Sequence, residues 1–176
     1  MTKLRKRMRA LPLAALALLA VGGVGVFAQR SYMIRSAAAG QPEVKIVLAG
    51  AVEREHAQVA LDKAGTVRPG EVLDWTITSQ NDGTGPAREF KATGQIPQGT
   101  SFVAGSTTAD GTASVTYSID QGQSFTAQPM IEERQADGSV KRVPAPVALY
   151  TQVRYEWTDA LVAGGKLTAA YKVRVK

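Results

Sequence analysis

Four stretches of this chain alternate apolar and polar side chains with a period of two, and nothing else in the sequence constrains its fold as tightly. Residues 72–78 put Leu73, Trp75 and Ile77 on one face and Asp74, Thr76 and Thr78 on the other. Residues 114–120 repeat the pattern with Val115, Tyr117 and Ile119, and residues 152–157 with Val153, Tyr155 and Trp157. Residues 167–175 do so with Leu167, Ala169, Tyr171, Val173 and Val175. Successive side chains of a strand point to opposite faces, so each stretch reads as a strand with one buried face. Residues 44–52 are less regular, because Ile46-Val47-Leu48 is a continuous apolar run. Shorter strands are expected at residues 58–61, 87–92 and 101–103 and near Phe125.

Turn chemistry separates these strands. Arg68-Pro69-Gly70-Glu71 and Ile96-Pro97-Gln98-Gly99 place Pro ahead of Gly in a four-residue turn, and Asn81-Asp82-Gly83 offers residues that tolerate positive φ. Asp137-Gly138 predicts a hairpin between residues 130–136 and 139–143, and Pro144 and Pro146 break the chain after it. About eight to ten short strands at roughly ten-residue spacing, with no sustained helical periodicity, predict an all-β antiparallel sandwich.

The first 28 residues have a different character. Lys3, Arg5, Lys6, Arg7 and Arg9 precede an uncharged run from Leu11 to Phe27, and Val26-Phe27-Ala28 has small residues at the −3 and −1 positions. These are the three parts of a secretory signal, with cleavage expected after Ala28. The expected organisation is a signal peptide helix over 1–28, a linker over 29–42 and a sandwich domain over 43–176. The alternative is an uncleaved membrane anchor. Its run is short for a span and is interrupted by Pro12, Gly22, Gly23 and Gly25. Five of the 21 basic residues lie in this segment and all 15 acids lie beyond it, so the formal charge of +6 falls to +1 for residues 29–176. That balance removes the dense basic footprint of a nucleic-acid binder. The chain has no cysteine, so neither a disulfide framework nor a lipid-anchor cysteine is available.

Residues 67–77 (Val-Arg-Pro-Gly-Glu-Val-Leu-Asp-Trp-Thr-Ile), followed by Asn81-Asp82-Gly83, resemble the opening of a conserved-repeat domain of exported bacterial and archaeal proteins. That family is called domain of unknown function eleven. The likeness continues in order through Ile96-Pro97-Gln98-Gly99-Thr100, Val103-Ala104-Gly105-Ser106 and residues 115–125. It closes with Val153-Arg154-Tyr155-Glu156-Trp157 and Ala163-Gly164-Gly165. The series covers about residues 59–175. Departures are Trp75 where tyrosine is usual, Gln121 where glycine is common, and the hairpin over 130–143. The resemblance implies an immunoglobulin-like sandwich in a cell-envelope or surface protein, and it carries over no chemistry.

Each candidate for chemistry has an ordinary structural role. Ser118-Ile119-Asp120-Gln121-Gly122-Gln123-Ser124-Phe125 fits the Asp-box pattern, in which the carboxylate accepts backbone N–H groups across a turn. One copy in a chain this short makes a turn, not a propeller. His56, the one histidine, follows Glu53-Arg54-Glu55 in a polar stretch and reads as a solvated side chain. With no Cys and one His, zinc and iron sites lack ligands. Asp82, Asp110, Asp120 and Asp159 raise the question of calcium, but no run has calcium-loop spacing. Glu132-Glu133 and Glu53/Glu55 do not read as a glycosidase pair, which needs one buried carboxyl. Most of Trp75, Trp157, Tyr117, Tyr155 and Phe102 share faces with aliphatic neighbours and are expected in the core, whereas Tyr150, in Leu149-Tyr150-Thr151, is not placed by pattern and is a candidate for exposure.

No catalytic residue, metal site or cofactor is therefore expected. The expected function is that of a non-catalytic exported cell-envelope protein, periplasmic or extracellular, acting structurally or by interaction with an envelope protein or polysaccharide. It would have no nucleic-acid partner, and would contact membrane only if the first segment stays uncleaved. The surfaces available for interaction are the loops, the Asp137-Gly138 hairpin and an open sheet edge able to accept a strand. The alternative is a carbohydrate-binding or adhesion module with exposed aromatics and calcium.

Overall fold

The computed structural model describes residues 40–176. The expected signal helix and all but the last residues of the linker lie outside that range. The described residues form eleven strands, β1 (Val44–Arg54), β2 (Ala57–Ala60), β3 (Val72–Asn81), β4 (Lys91–Gln95), β5 (Thr100–Phe102), β6 (Thr108–Ala109), β7 (Ala113–Ser118), β8 (Met130–Arg134), β9 (Val140–Pro144), β10 (Gln152–Trp157) and β11 (Lys166–Val175). The only helical pieces among them are single turns at Leu61–Ala64 and Val147–Leu149. Every pairing is antiparallel.

The first sheet has the order β2-β1-β3-β11-β5, with β6 beside β11, and the second is β4-β10-β7. β8 and β9 pair only with each other, as the Asp137-Gly138 turn predicts. Setting β2, β6 and that hairpin aside, seven strands make an immunoglobulin-like sandwich. Lettered A to G in chain order, they form sheets A-B-G-D and C-F-E. An immunoglobulin constant domain has A-B-E-D and C-F-G, so here the fifth and last strands have exchanged sheets. The last strand, β11, thereby becomes central and pairs with β3 over nine residues.

The alternating residues face each other between the sheets. Leu73, Ile77, Ala169, Tyr171 and Val173 of the first sheet meet Ala92, Val153, Tyr155 and Trp157 of the second in one buried cluster. Two tyrosines tie the sheets reciprocally. Tyr155 Oη donates to the Ala170 carbonyl on β11 at 2.6 Å, and Tyr171 Oη donates to the Gln95 carbonyl on β4 at 2.5 Å. Burial pushes both hydroxyls above the ordinary tyrosine range, so both stay protonated donors. Gly94 makes this possible, because a Cβ there would occupy the Tyr171 ring.

The turns divide into two kinds. Glu71 N donates to Arg68 O at 3.1 Å with Gly70 at φ +89°, the geometry of a Pro-Gly type II turn. Asn81-Asp82-Gly83 differs from expectation, because none of the three takes positive φ. Asn81 is instead wholly buried, and its side chain closes one end of the sandwich. Its Oδ1 accepts Glu43 N and Gly83 N, both at 3.1 Å, while Nδ2 donates to Gly85 O and Leu161 O, both at 2.9 Å. Gly83 is required by close approach, since a Cβ would meet the backbone of residues 41–43.

Candidate functional site

The residues that raised chemical possibilities are scattered, and most already have partners. His56 is exposed in the two-residue turn joining β1 to β2, with Glu55 at φ +51° and His56 at φ +66°. Asp82 pairs with Lys45 at 2.8 Å, and Asp110 Oδ2 accepts Thr168 N at 2.8 Å. Asp159 is exposed in the loop after β10. Glu132 and Glu133 stand opposite Arg142 and Lys141 on the β8–β9 hairpin and are exposed, unlike the buried acid of a glycosidase pair. Among the described residues, no three of His, Asp and Glu gather as a cation site would require.

Asp120 makes the turn that its motif implies. Oδ1 accepts Ser118 Oγ at 2.7 Å and Ser124 N at 2.9 Å, and Oδ2 accepts Ser124 Oγ at 2.5 Å. These donors, Ser124 foremost, hold the carboxyl at about 2. Gln121 and Gly122 take positive φ to close the loop. Phe125 then lies under the Arg154 guanidinium, 3.4 Å from its ring centroid. No separate strand forms near Phe125; residues 117 and 126 make a single bridge.

Apart from Phe125, the aromatic side chains of the described residues pack into or against the core. Trp157 and Tyr155 are buried, and Trp75, Phe90 and Tyr117 pack against the core. Tyr150, which the sequence does not place, stacks with Phe102 and lies 4.9 Å from Tyr117 between ring centroids. None of these rings is free to form a flat sugar-stacking platform. A shallow depression of about 580 Å³ on the outer face of the first sheet is lined by small residues such as Ala49, Ala51, Thr76 and Ala170. The Asp74–Lys172 ion pair, 2.6 Å apart, lies on its rim.

The feature that does stand out is the first half of β1. The phase of its ladder follows from Asp82 N donating to Glu43 O and Thr84 N to Gln41 O. Odd-numbered residues therefore turn their N–H and C=O toward β3, and even-numbered residues turn theirs to the other side. On that side β2 pairs only with residues 51–54. Among the described residues, no strand lies beside Val44, Ile46 and Leu48 on that side, while Leu61, which follows β2, reaches Gly50. Pro42 bounds this window at one end, with no N–H to offer, and β2 bounds it at the other.

The same stretch is apolar. Ile46 is 54% exposed, Val47 60% and Leu48 46%. Ile46 and Leu48 stand beside Ser79 and Ile77, whose side chains point inward, so they occupy the core side of the sheet. They remain exposed because β1 lies outside β3 in the first sheet, on a flank that the three-stranded second sheet leaves open. Farther along, Leu61 and Trp75 pack over Gly50, whose missing Cβ gives them room, so the second half of β1 is covered. The apolar run was visible in the sequence; its position on an unpaired edge was not.

No protein-family profile matches the chain, and neither does any curated protein or solved structure.

Proposed function

We propose that this chain is a non-catalytic, exported cell-envelope protein that works by interaction, with the open edge of β1 as its working surface. One observation carries the reading: among the described residues, Val44, Ile46 and Leu48 turn backbone groups to a side where no strand pairs them, and Ile46, Val47 and Leu48 are exposed. An unpaired, apolar edge is a liability that folded proteins normally cover with charge, proline or a short strand. Its retention beside a bounded window of free N–H and C=O groups suits the addition of a strand from a partner. The two edges of the second sheet have different protection. β4 presents Lys91, Thr93 and Gln95, and β7 is capped by the Tyr117–Thr126 bridge.

Export follows from the charge and apolar pattern of residues 1–28, and the ordered likeness to the conserved-repeat family supports a cell-envelope setting. A carbohydrate-binding or adhesion module is the less favoured reading, since all described aromatic rings but Phe125, which Arg154 covers, pack inward and the loop aspartates are dispersed. A photo-crosslinking residue at Leu48, in the full chain within its native envelope, tests the proposal. It should give a discrete adduct that the same probe at Lys141 on the exposed hairpin does not. Equal or absent labelling at the two positions would contradict it.

A further inference from the structure

The open window has a symmetry that suggests its occupant. Its open positions are Val44, Ile46 and Leu48, and its midpoint is Ile46. A second strand of identical sequence, laid antiparallel about a two-fold axis through Ile46, fills the window from end to end. We propose that β1 of a second copy of this chain occupies the edge, a deepening that rests on the edge being the working surface.

The hydrogen-bond phase fits that register. Ile46 faces Ile46 of the second copy, and Val44 faces Leu48, all at positions whose N–H and C=O already point outward. Each such pair exchanges two N–H···O=C bonds. On the core side, Val44, Ile46 and Leu48 of the two copies form one apolar row that covers the surface exposed in the monomer. On the other side, Lys45 stands opposite Val47. Lys45 is the one charge between Val44 and Gly50, and Asp82 of its own chain already pairs it at 2.8 Å, so the contact brings no unneutralised like charges together. The arrangement is isologous and consumes both edges, giving a closed dimer rather than an open fibre.

The absence of native cysteine makes the register directly readable. In the full chain, expressed with its own N-terminal segment and recovered from the envelope, Ile46→Cys should form a homodimeric disulfide about tenfold more than Val44→Cys, because only position 46 meets itself. Val44→Cys mixed with Leu48→Cys should also crosslink. The wild-type chain should sediment with dimer mass, and Ile46→Pro should return it to monomer with an unchanged circular dichroism spectrum. The Ile46 N–H points off the edge, so proline there removes no internal bond. Should the proline variant misfold, Ile46→Lys provides the same test without the backbone constraint. Monomer mass with no preference for position 46 overturns the second copy as occupant. If Leu48 still crosslinks to another envelope protein, the edge reading stands alone. A dimer that survives both Ile46 variants likewise overturns the second copy as occupant, and if Leu48 captures nothing the edge reading fails with it.

Discussion

Asn81 Nδ2 donates to the Leu161 carbonyl at 2.9 Å across 80 residues of chain. The same amide serves Gly85 O, and its oxygen serves Glu43 N and Gly83 N, so one buried side chain holds the entry to β1, the loop after β3 and the loop before β11. Buried backbone groups that lose a partner cost far more than the partner's bond contributes net. Asn81→Ala should therefore destabilise the fold by about 3 kcal/mol. Asn81→Asp should do comparable damage, because a carboxylate cannot donate to the carbonyls of Gly85 and Leu161. Urea titration followed by tryptophan fluorescence measures both.

The two inter-sheet tyrosines make a paired prediction. Tyr155→Phe and Tyr171→Phe keep the rings in the core but strip the bonds to Ala170 O and Gln95 O. Each should cost about 1–2 kcal/mol in thermal or urea denaturation. Gly94→Val should cost more than either, since its side chain displaces the Tyr171 ring.

The β1–β2 turn is occupied by residues poorly suited to it. Glu55 and His56 both take positive φ, the pattern of a type I′ turn that favours asparagine followed by glycine. The double substitution Glu55→Asn with His56→Gly should raise stability by about 1 kcal/mol, measured by thermal melts. Unchanged or lowered stability would show that the histidine is held there by contacts of its own.

Acid sensitivity follows from Asp120. Its carboxyl is held at about 2, below its ordinary value of 3.8, by the donors of Ser124 and Ser118. A depressed folded-state pKa contributes stability that is present above the unfolded value and is lost as pH falls through the folded one. The loop over residues 118–126 should thus loosen between about pH 4 and pH 2. Asp120→Asn should be less stable at neutral pH and should lack that part of the pH dependence. Thermal melts of both proteins from pH 7 to pH 2 provide the comparison.

How much of this is legible in the sequence depends on how local the cause is. Residues 152–157 alternate so cleanly that β10 has the expected boundaries, and Asp137-Gly138 marks its hairpin by turn chemistry alone. Thr108–Ala109 is too short to carry a pattern and pairs only because β11 passes beside it. Asn81 reads as a turn former, while its role depends on carbonyls 80 residues away. Tyr150 is half-buried against Phe102 and Tyr117, neither of them near it in sequence. Ile46-Val47-Leu48 is the most instructive case. A continuous apolar run reads alike for a strand buried on both faces and for one at an edge, and only the sheet order distinguishes them.

The most direct measurement on that edge is residue-resolved amide hydrogen exchange along residues 44–49, in dilute protein and again in the assembled state taken from the envelope. In dilute protein, Lys45, Val47 and Ala49 should be protected by β3 while Val44, Ile46 and Leu48 exchange freely. In the assembled state, the even-numbered amides should gain protection and the odd-numbered ones should change little. Even-numbered amides that exchange freely in both samples would contradict the claim that this edge is where the protein works.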